Sequence, residues 1–138
     1  MKDLLIYRYA EPTIITGIHP DSIESHLLRY YAIESGVNFM EKTIALRNTE
    51  ITFSIWDLGG HREFISMLPL VCNDAVAILF MFDLSRKATL TSIKEWYRQV
   101  RSINKNAFPF LVGMKYDVFS KFNVEEQEDI TKQVRLLH

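Results

Sequence analysis

Hydrophobic and polar residues follow three patterns along this chain, and each predicts a different kind of element. Residues 39–46 are strand-like, residues 51–56 alternate with a period of two, and the turn residues 47–50 between them predict an antiparallel hairpin. Residues 75–82 and 108–112 are continuous apolar runs, typical of strands buried on both faces. Apolar residues recur at helical spacing from Leu90 to Ile103. Strand, helix and strand in this order predict a parallel crossover.

The two ends of the chain have different patterns. Residues 1–36 show no clean period, and their best local interpretation is a strand at Thr13–Ile18 followed by a helix from 21 or 22 to 31. Residues 124–137 predict a surface helix, with Asn123 as its N-cap. We therefore divide the chain into a divergent N-terminal segment, residues 1–36, and a main domain, residues 37–138.

The first candidate for chemistry is Asp57-Leu58-Gly59-Gly60, which follows the second hairpin strand. A carboxylate in this position projects from the carboxyl edge of a sheet, where open α/β sheets bind ligands. The paired glycines would let backbone N–H groups approach a phosphate closely. An aspartate and glycine after a strand also form ordinary turns, so this motif alone leaves both interpretations open.

The second candidate is Lys115-Tyr116-Asp117, which follows the second buried strand and so lies on the same predicted edge. A carboxylate at 117 could accept two hydrogen bonds from the N1–H and amino group of guanine, whereas adenine presents an acceptor there. The aliphatic part of Lys115 could lie along the base. The alternative is that Lys115 and Asp117 are a solvated pair on the surface without a ligand.

Taken in this order, the motifs and elements resemble the Ras superfamily of small GTPases. The resemblance is closest to the fungal septum-promoting GTPases, and it covers about 100 residues, from 37 to 134, including the segments 36–42, 56–60, 62–64, 67–70 and 94–99. It implies an α/β fold of the P-loop NTPase type, with three layers, a mostly parallel sheet and one antiparallel hairpin. It also implies GTP or GDP and Mg²⁺ as ligands.

The resemblance assigns a role to each candidate residue. Asp57 would reach magnesium through water, and the N–H of Gly60 would sense the terminal phosphate. Lys115 and Asp117 would hold guanine. His61 stands where the resembled enzymes have a glutamine that orients the attacking water, so hydrolysis should suffer.

The sequence differs from the resembled family in the segment that would bind the phosphates. No Gly-x-x-x-x-Gly-Lys-Ser/Thr loop occurs in the 138 residues, and the corresponding segment, residues 17–25, places Asp21 where phosphate would be repelled. The first family strand, which belongs in the middle of the sheet order 2-3-1-4-5-6, is also absent. Thr13–Ile18 is the candidate to fill that place, and the sequence stops before the last family strand. The fold is therefore predicted to be incomplete.

Two hypotheses follow, and whether the chain is an enzyme stays open between them. The first is a septation-type small GTPase with weak nucleotide binding. By resemblance, its partners would be a protein kinase effector and a GTPase-activating protein, and it would be found in the cytoplasm, at the spindle pole. The second is a nucleotide-free interaction remnant or a shortened gene product. A net charge of −1 predicts no nucleic-acid partner, and the short apolar runs and the lack of a lipidation cysteine at the C-terminus predict no membrane anchor.

Overall fold

The computed structural model describes residues 12–16, 37–58 and 62–136. The strands are β1 (Pro12–Thr16), β2 (Asn38–Leu46), β3 (Thr49–Asp57), β4 (Ala75–Asp83) and β5 (Phe108–Met114). A 3₁₀ helix covers Arg62–Met67, and the α-helices are α1 (Leu68–Cys72), α2 (Lys87–Ile103), α3 (Tyr116–Phe119) and α4 (Val124–Arg135). Among the described residues no helix is both long and apolar enough to span a bilayer.

The five strands form one sheet in the order β2-β3-β1-β4-β5. This confirms the predicted hairpin, the parallel crossover from β4 to β5, and the placing of the N-terminal strand in the centre of a Ras-like α/β fold. The strand is Pro12–Thr16 rather than Thr13–Ile18. The helix predicted to follow it, which would contribute to the third layer, lies outside the described residues.

The direction of β1 differs from the expectation of a mostly parallel sheet. β1 pairs antiparallel with β3 on one side and with β4 on the other, so β4–β5 is the one parallel pair among the four pairings of the described strands. Thr13 lies opposite Asp57, and Thr16 lies opposite Ser54. β1 therefore enters the sheet at the carboxyl edge of β3 and leaves it at the opposite edge.

The core lies between the sheet and α2. Leu90, Ile93 and Val100 are buried at helical spacing on one face of α2, as the periodicity predicts. The same periodicity predicted Tyr97, but Tyr97 is 40% exposed and Trp96 is buried instead. The buried residues belong to the same cluster as the buried β4 side chains, including Ile78. At about 25 cal/mol per Å² of apolar area removed from water, such burial is the main source of stability for this layer. The β4 carboxyl end is thereby held on a rigid support.

Asn104 joins the end of α2 to the start of β4. Its buried side-chain Nδ2 donates to the carbonyl oxygens of Cys72 and Ala75 at 2.7 Å and 3.0 Å, and its Oδ1 accepts from the backbone N–H of Asn106 and Ala107 at 2.9 Å and 3.0 Å. These bonds satisfy backbone groups that helix and strand leave unpaired where they end. They also fix the turn from which β5 starts.

Candidate functional site

Three strands bring polar side chains toward one edge of the sheet. Because β3, β4 and β5 run in the same direction, their last residues all lie at the carboxyl edge. Asp57 ends β3, Asp83 ends β4, and Lys115 follows β5 directly. The prediction that the two motifs share one edge is therefore confirmed.

An ion pair that the sequence analysis missed lies at the β4–β5 end of this edge. The ammonium Nζ of Lys115 donates to Oδ2 of Asp83 at 2.8 Å. Asp83 is buried, with a relative exposure of 2%, whereas 40% of the Lys115 side chain is exposed. Oδ1 of Asp83 accepts from both the N–H of Ser85 at 2.9 Å and its hydroxyl at 2.5 Å. The carboxylate is thus fully hydrogen-bonded in spite of its burial.

Burial alone would raise the pKa of Asp83, because it penalises the charged form. The hydrogen bonds from Lys115 and Ser85, together with the positive charge of Lys115, outweigh burial and hold the pKa of Asp83 below its ordinary value. Asp83 is consequently ionised at neutral pH. The one sequence signal for this role was an acidic residue at the carboxyl end of a buried strand, and its partner is 32 positions away.

Lys115 adopts an unusual backbone conformation. Its φ of 59° and ψ of 43° lie in the left-handed region, where a residue other than glycine costs roughly 1 kcal/mol or more. This conformation turns the chain from β5 into α3, so that Tyr116 and Asp117 are helical rather than part of the polar loop expected from sequence. Strain of this kind is retained where the surrounding contacts hold a residue in place, as the Asp83 ion pair does here.

Asp117 is exposed in the first turn of α3. Within the described parts of the chain, no hydrogen bond or ion pair engages its carboxylate. Its oxygens are therefore accessible to two parallel donors from a ligand, the geometry that guanine would require. Lys115 and Asp117 stand beside each other at the end of β5, as predicted.

Asp57 lies well away from this pair. Thr13 is opposite both Asp57 and Leu79, so these two residues are level on the strands that flank β1. Asp83 is four residues further along β4, which with the two strand spacings gives a separation of roughly 16 Å between Asp57 and Asp83. A ligand contacting both ends of the edge must be elongated, as a nucleoside triphosphate is.

Fewer side chains are available for the phosphates and the metal ion at the Asp57 end of the edge than for the base at the other end. Asp57 is half-buried at the end of β3, and the residues that the structure describes contain no group of three or more His, Cys, Asp or Glu side chains that could hold a metal ion. Magnesium would therefore be held by Asp57 together with water and the phosphates themselves. Gly60 and His61 lie outside the described residues.

The direction of β1 bears on one expectation about the phosphate end. Residues 17–25 were expected to fall near the place of the missing phosphate loop, after the central strand. Because β1 is antiparallel to its neighbours, it ends at Thr16, at the edge opposite to Asp83 and Lys115. Pro12 instead enters the sheet near the carboxyl edge. The last described residue of β1, Thr16, therefore lies opposite Ala75 at the start of β4, away from the carboxyl edge that Asp57 and Asp83 share. Residues 17–25 themselves lie outside the described residues.

Comparisons with known proteins agree with this architecture. The sequence profile of the Ras family matches residues 22–138. The chain is 76% identical over 100 residues to septum-promoting GTP-binding protein 1 of Schizosaccharomyces pombe, a match that covers 72% of this chain and 50% of that protein. It is 25% identical over 107 residues to Ras-related protein Rab5 of Nicotiana tabacum, covering 77% and 54%. The chain spans about half the length of these relatives.

Proposed function

Because this chain belongs to the Ras family, we propose that it is a small GTPase-like signalling protein that recognises guanine through Lys115 and Asp117 but binds the nucleotide phosphates weakly. Members of the family generally bind GTP or GDP with Mg²⁺. The carboxylate of Asp117, which has no partner among the described residues, lies beside the anchored Lys115 and supports guanine recognition. The antiparallel direction of β1 supports weak phosphate binding, and it is the observation that carries the proposal.

The base end of the site is pre-organised. Asp83 fixes the ammonium of Lys115, which leaves the aliphatic part of that side chain to lie against a planar base. Asp117, two residues later, would accept the donors of the guanine edge. An adenine ring presents an acceptor at the same position and would be repelled. The expected selectivity is therefore for guanine over adenine.

The phosphate end lacks its usual donors. The family loop supplies several backbone N–H groups and a lysine, and each charge-assisted hydrogen bond of this kind contributes about 1.5–3 kcal/mol. Asp57 supplies only an acceptor, and Gly60 is the proposed remaining N–H donor. His61 replaces the water-orienting glutamine, so we expect no GTP hydrolysis above background.

The test compares guanosine with GTP by isothermal titration of the 138-residue chain in the presence of Mg²⁺. If the phosphates contribute little, the two ligands should bind with dissociation constants within about threefold of each other and no tighter than roughly 100 μM. ATP should not bind measurably. Binding of GTP several hundred times tighter than guanosine would refute the weak phosphate site.

Two alanine variants distinguish the loss of the base contact at Asp117 from the general loss of a surface carboxylate. Asp117→Ala should abolish binding of guanosine and of GTP alike, because both use the same base contact. Glu128→Ala removes an equally exposed carboxylate from α4 and should leave binding unchanged. Equal loss in both variants would mean that the observed binding does not involve Asp117.

A nucleotide-free interaction protein is the second candidate. It is favoured by the same direction of β1 and by the apolar side chains that β2 exposes, Met40 at 47% and Ile44 at 49%. The β2–β3 hairpin would then bind partners without a nucleotide switch. A folded sample that binds neither guanosine nor GTP would select this candidate.

The proposed partners and place of action rest on the resemblance. The name of the S. pombe relative connects it with septum formation, and we propose for this chain a role in cell division, in the cytoplasm and at the spindle pole, with a protein kinase effector and a GTPase-activating partner. We also propose that residues 37–138 belong to a small-GTPase domain and that the divergent segment 1–36 contributes β1 to its sheet.

A further inference from the structure

Asp117, the residue proposed to recognise the guanine edge, lies on an element that is too short to be stable by itself. The helix α3 covers only Tyr116–Phe119. A single helical turn is unstable in water, because its formation fixes several residues for one hydrogen bond. Two parallel hydrogen bonds to a planar base require the carboxylate to have one orientation. The contacts that hold α3 in place therefore determine how well Asp117 can recognise guanine.

The start of α3 is fixed by Lys115. Its Nζ donates to Oδ2 of the buried Asp83 at 2.8 Å. Its backbone carbonyl oxygen accepts from the N–H groups of Val118 and Phe119, each at 3.1 Å. These bonds anchor the first residues of the turn to the end of β4. The C-terminal end of the turn needs a different anchor.

The end of α3 is held from α4 by Gln127. The side-chain Nε2 of Gln127 donates to the carbonyl oxygen of Phe122 at 2.9 Å and, in a longer bond, to that of Ser120 at 3.4 Å. One amide group can serve both carbonyls, because it carries two N–H donors. Ser120 follows the last residue of α3, where a helix leaves its carbonyl groups without intrahelical partners. Gln127 thus ties segment 120–122 to the longer helix.

A continuous chain of contacts connects Gln127 with Asp117. Ser120, whose carbonyl accepts from Gln127, donates its hydroxyl to the backbone carbonyl oxygen of Asp117 at 3.1 Å. Phe122, the other acceptor, packs against the buried ring of Phe119, with 6.3 Å between the ring centroids. A shift of segment 120–122 would therefore move the backbone that carries the Asp117 carboxylate.

We propose that Gln127 is a positioning residue for guanine recognition, which sets the orientation of the Asp117 carboxylate through segment 120–122. The inference rests on the proposed function, since it concerns the same base contact. It adds a residue on α4 that acts on this contact through the backbone. Loss of the Gln127 donors should allow the Asp117 carboxylate to leave the orientation in which it accepts two hydrogen bonds from guanine.

The test compares GMP with IMP, which differs from GMP only in lacking the 2-amino group of the base. A correctly oriented carboxylate accepts two hydrogen bonds from GMP and one from IMP, so the wild-type chain should bind GMP about tenfold more tightly. NMR titration of the 138-residue chain measures both dissociation constants. Gln127→Met removes the N–H donors and keeps the length of the side chain. It should reduce the preference for GMP to about threefold or less.

Gln133→Met is the matched control on the same helix. Gln133 is half-buried like Gln127, but its Nε2 donates to Oδ1 of Asp129 at 3.5 Å rather than to segment 120–122. This variant should retain the wild-type preference. Partial unfolding of a variant would weaken the apparent binding of GMP and IMP equally and leave their ratio unchanged. A purely structural role of Gln127 would therefore not reduce the preference.

The outcomes distinguish this inference from the proposed function. An undiminished preference for GMP in Gln127→Met, or an equal decrease in Gln133→Met, would overturn the inference and leave the proposed function intact. If the wild-type chain binds GMP and IMP equally, or binds neither, Asp117 does not recognise the guanine edge. The inference then fails together with the proposed function.

Discussion

Removing either partner of the Asp83–Lys115 pair deletes the same ion pair, yet we expect the two deletions to differ in cost. Lys115→Met leaves a carboxylate that is 98% buried without its counter-charge, whereas Asp83→Asn leaves an ammonium that can turn into solvent, because 40% of the Lys115 side chain is already exposed. Breaking a fully buried pair costs about 3–5 kcal/mol, and exposed pairs cost about 0–1 kcal/mol. This pair lies between those limits.

The magnitude follows from the contacts that survive. In Lys115→Met the two hydrogen bonds from Ser85 to Asp83 remain, so we expect a loss of about 2 kcal/mol in the free energy of unfolding. Asp83→Asn keeps an acceptor for Ser85 and removes the desolvation cost of the charge, so we expect a loss of about 1 kcal/mol or less. Urea unfolding at pH 7 measures both values.

The pH dependence provides the stricter test. The folded-state pKa of Asp83 is lowered, so its stabilising contribution is present above the ordinary aspartate pKa and is lost as the pH falls through the folded value. Lys115→Met removes the largest lowering influence and leaves burial, which raises the pKa. Its deficit relative to wild type should therefore shrink between pH 7 and pH 4. A deficit no larger than that of Asp83→Asn, or one that is independent of pH, would refute this reasoning.

Three further predictions concern the support of the site. Asn104→Ala should lower the unfolding free energy by about 3 kcal/mol in urea, because it leaves the carbonyl groups of Cys72 and Ala75 and two N–H groups of the α2–β5 turn without their side-chain partner. Exposed Asn106→Ala should cost under about 1 kcal/mol. Gly113→Ala should lower the free energy of unfolding by about 1–2 kcal/mol, measured by thermal unfolding, since its new Cβ would lie 2.9 Å from Cγ of Leu84. The double variant Gly113→Ala/Leu84→Ala should remove this clash but not restore the packing of the Leu84 side chain. Burial raises the pKa of the Cys72 thiol to about 12, so a thiol reagent at pH 8 should modify Cys72 only after urea unfolds the chain, and rapid labelling of the folded protein would contradict this burial.

Much of the local structure was predictable because it depends on neighbouring residues. The hairpin, the strands β4 and β5 and α2 were all predicted from the pattern of apolar residues. The prediction that β5 is buried on both faces was wrong, because none of its residues is buried. Asn123 caps α4 as predicted, with its Oδ1 accepting from the N–H of Glu126 at 2.8 Å. The hairpin turn is shorter than expected, two residues rather than four, with Arg47 in the left-handed region. The helical segments between 62 and 72 were missed because each is only five or six residues long, too short for a helical period to show.

The sequence alone placed Asp57 and the segment 115–117 at the carboxyl ends of strands, because strand period and turn chemistry are local properties, but it did not single out Asp83. Only the tertiary structure decided two matters of consequence. The segment Pro12–Thr16 could fill the centre of the sheet in either direction, because strand alternation reads alike from both ends, and the choice came from its pairing with β3 and β4. The Asp83–Lys115 pair required the parallel register that sets Asp83 opposite Met114, a relation between residues 31 positions apart that no local pattern records.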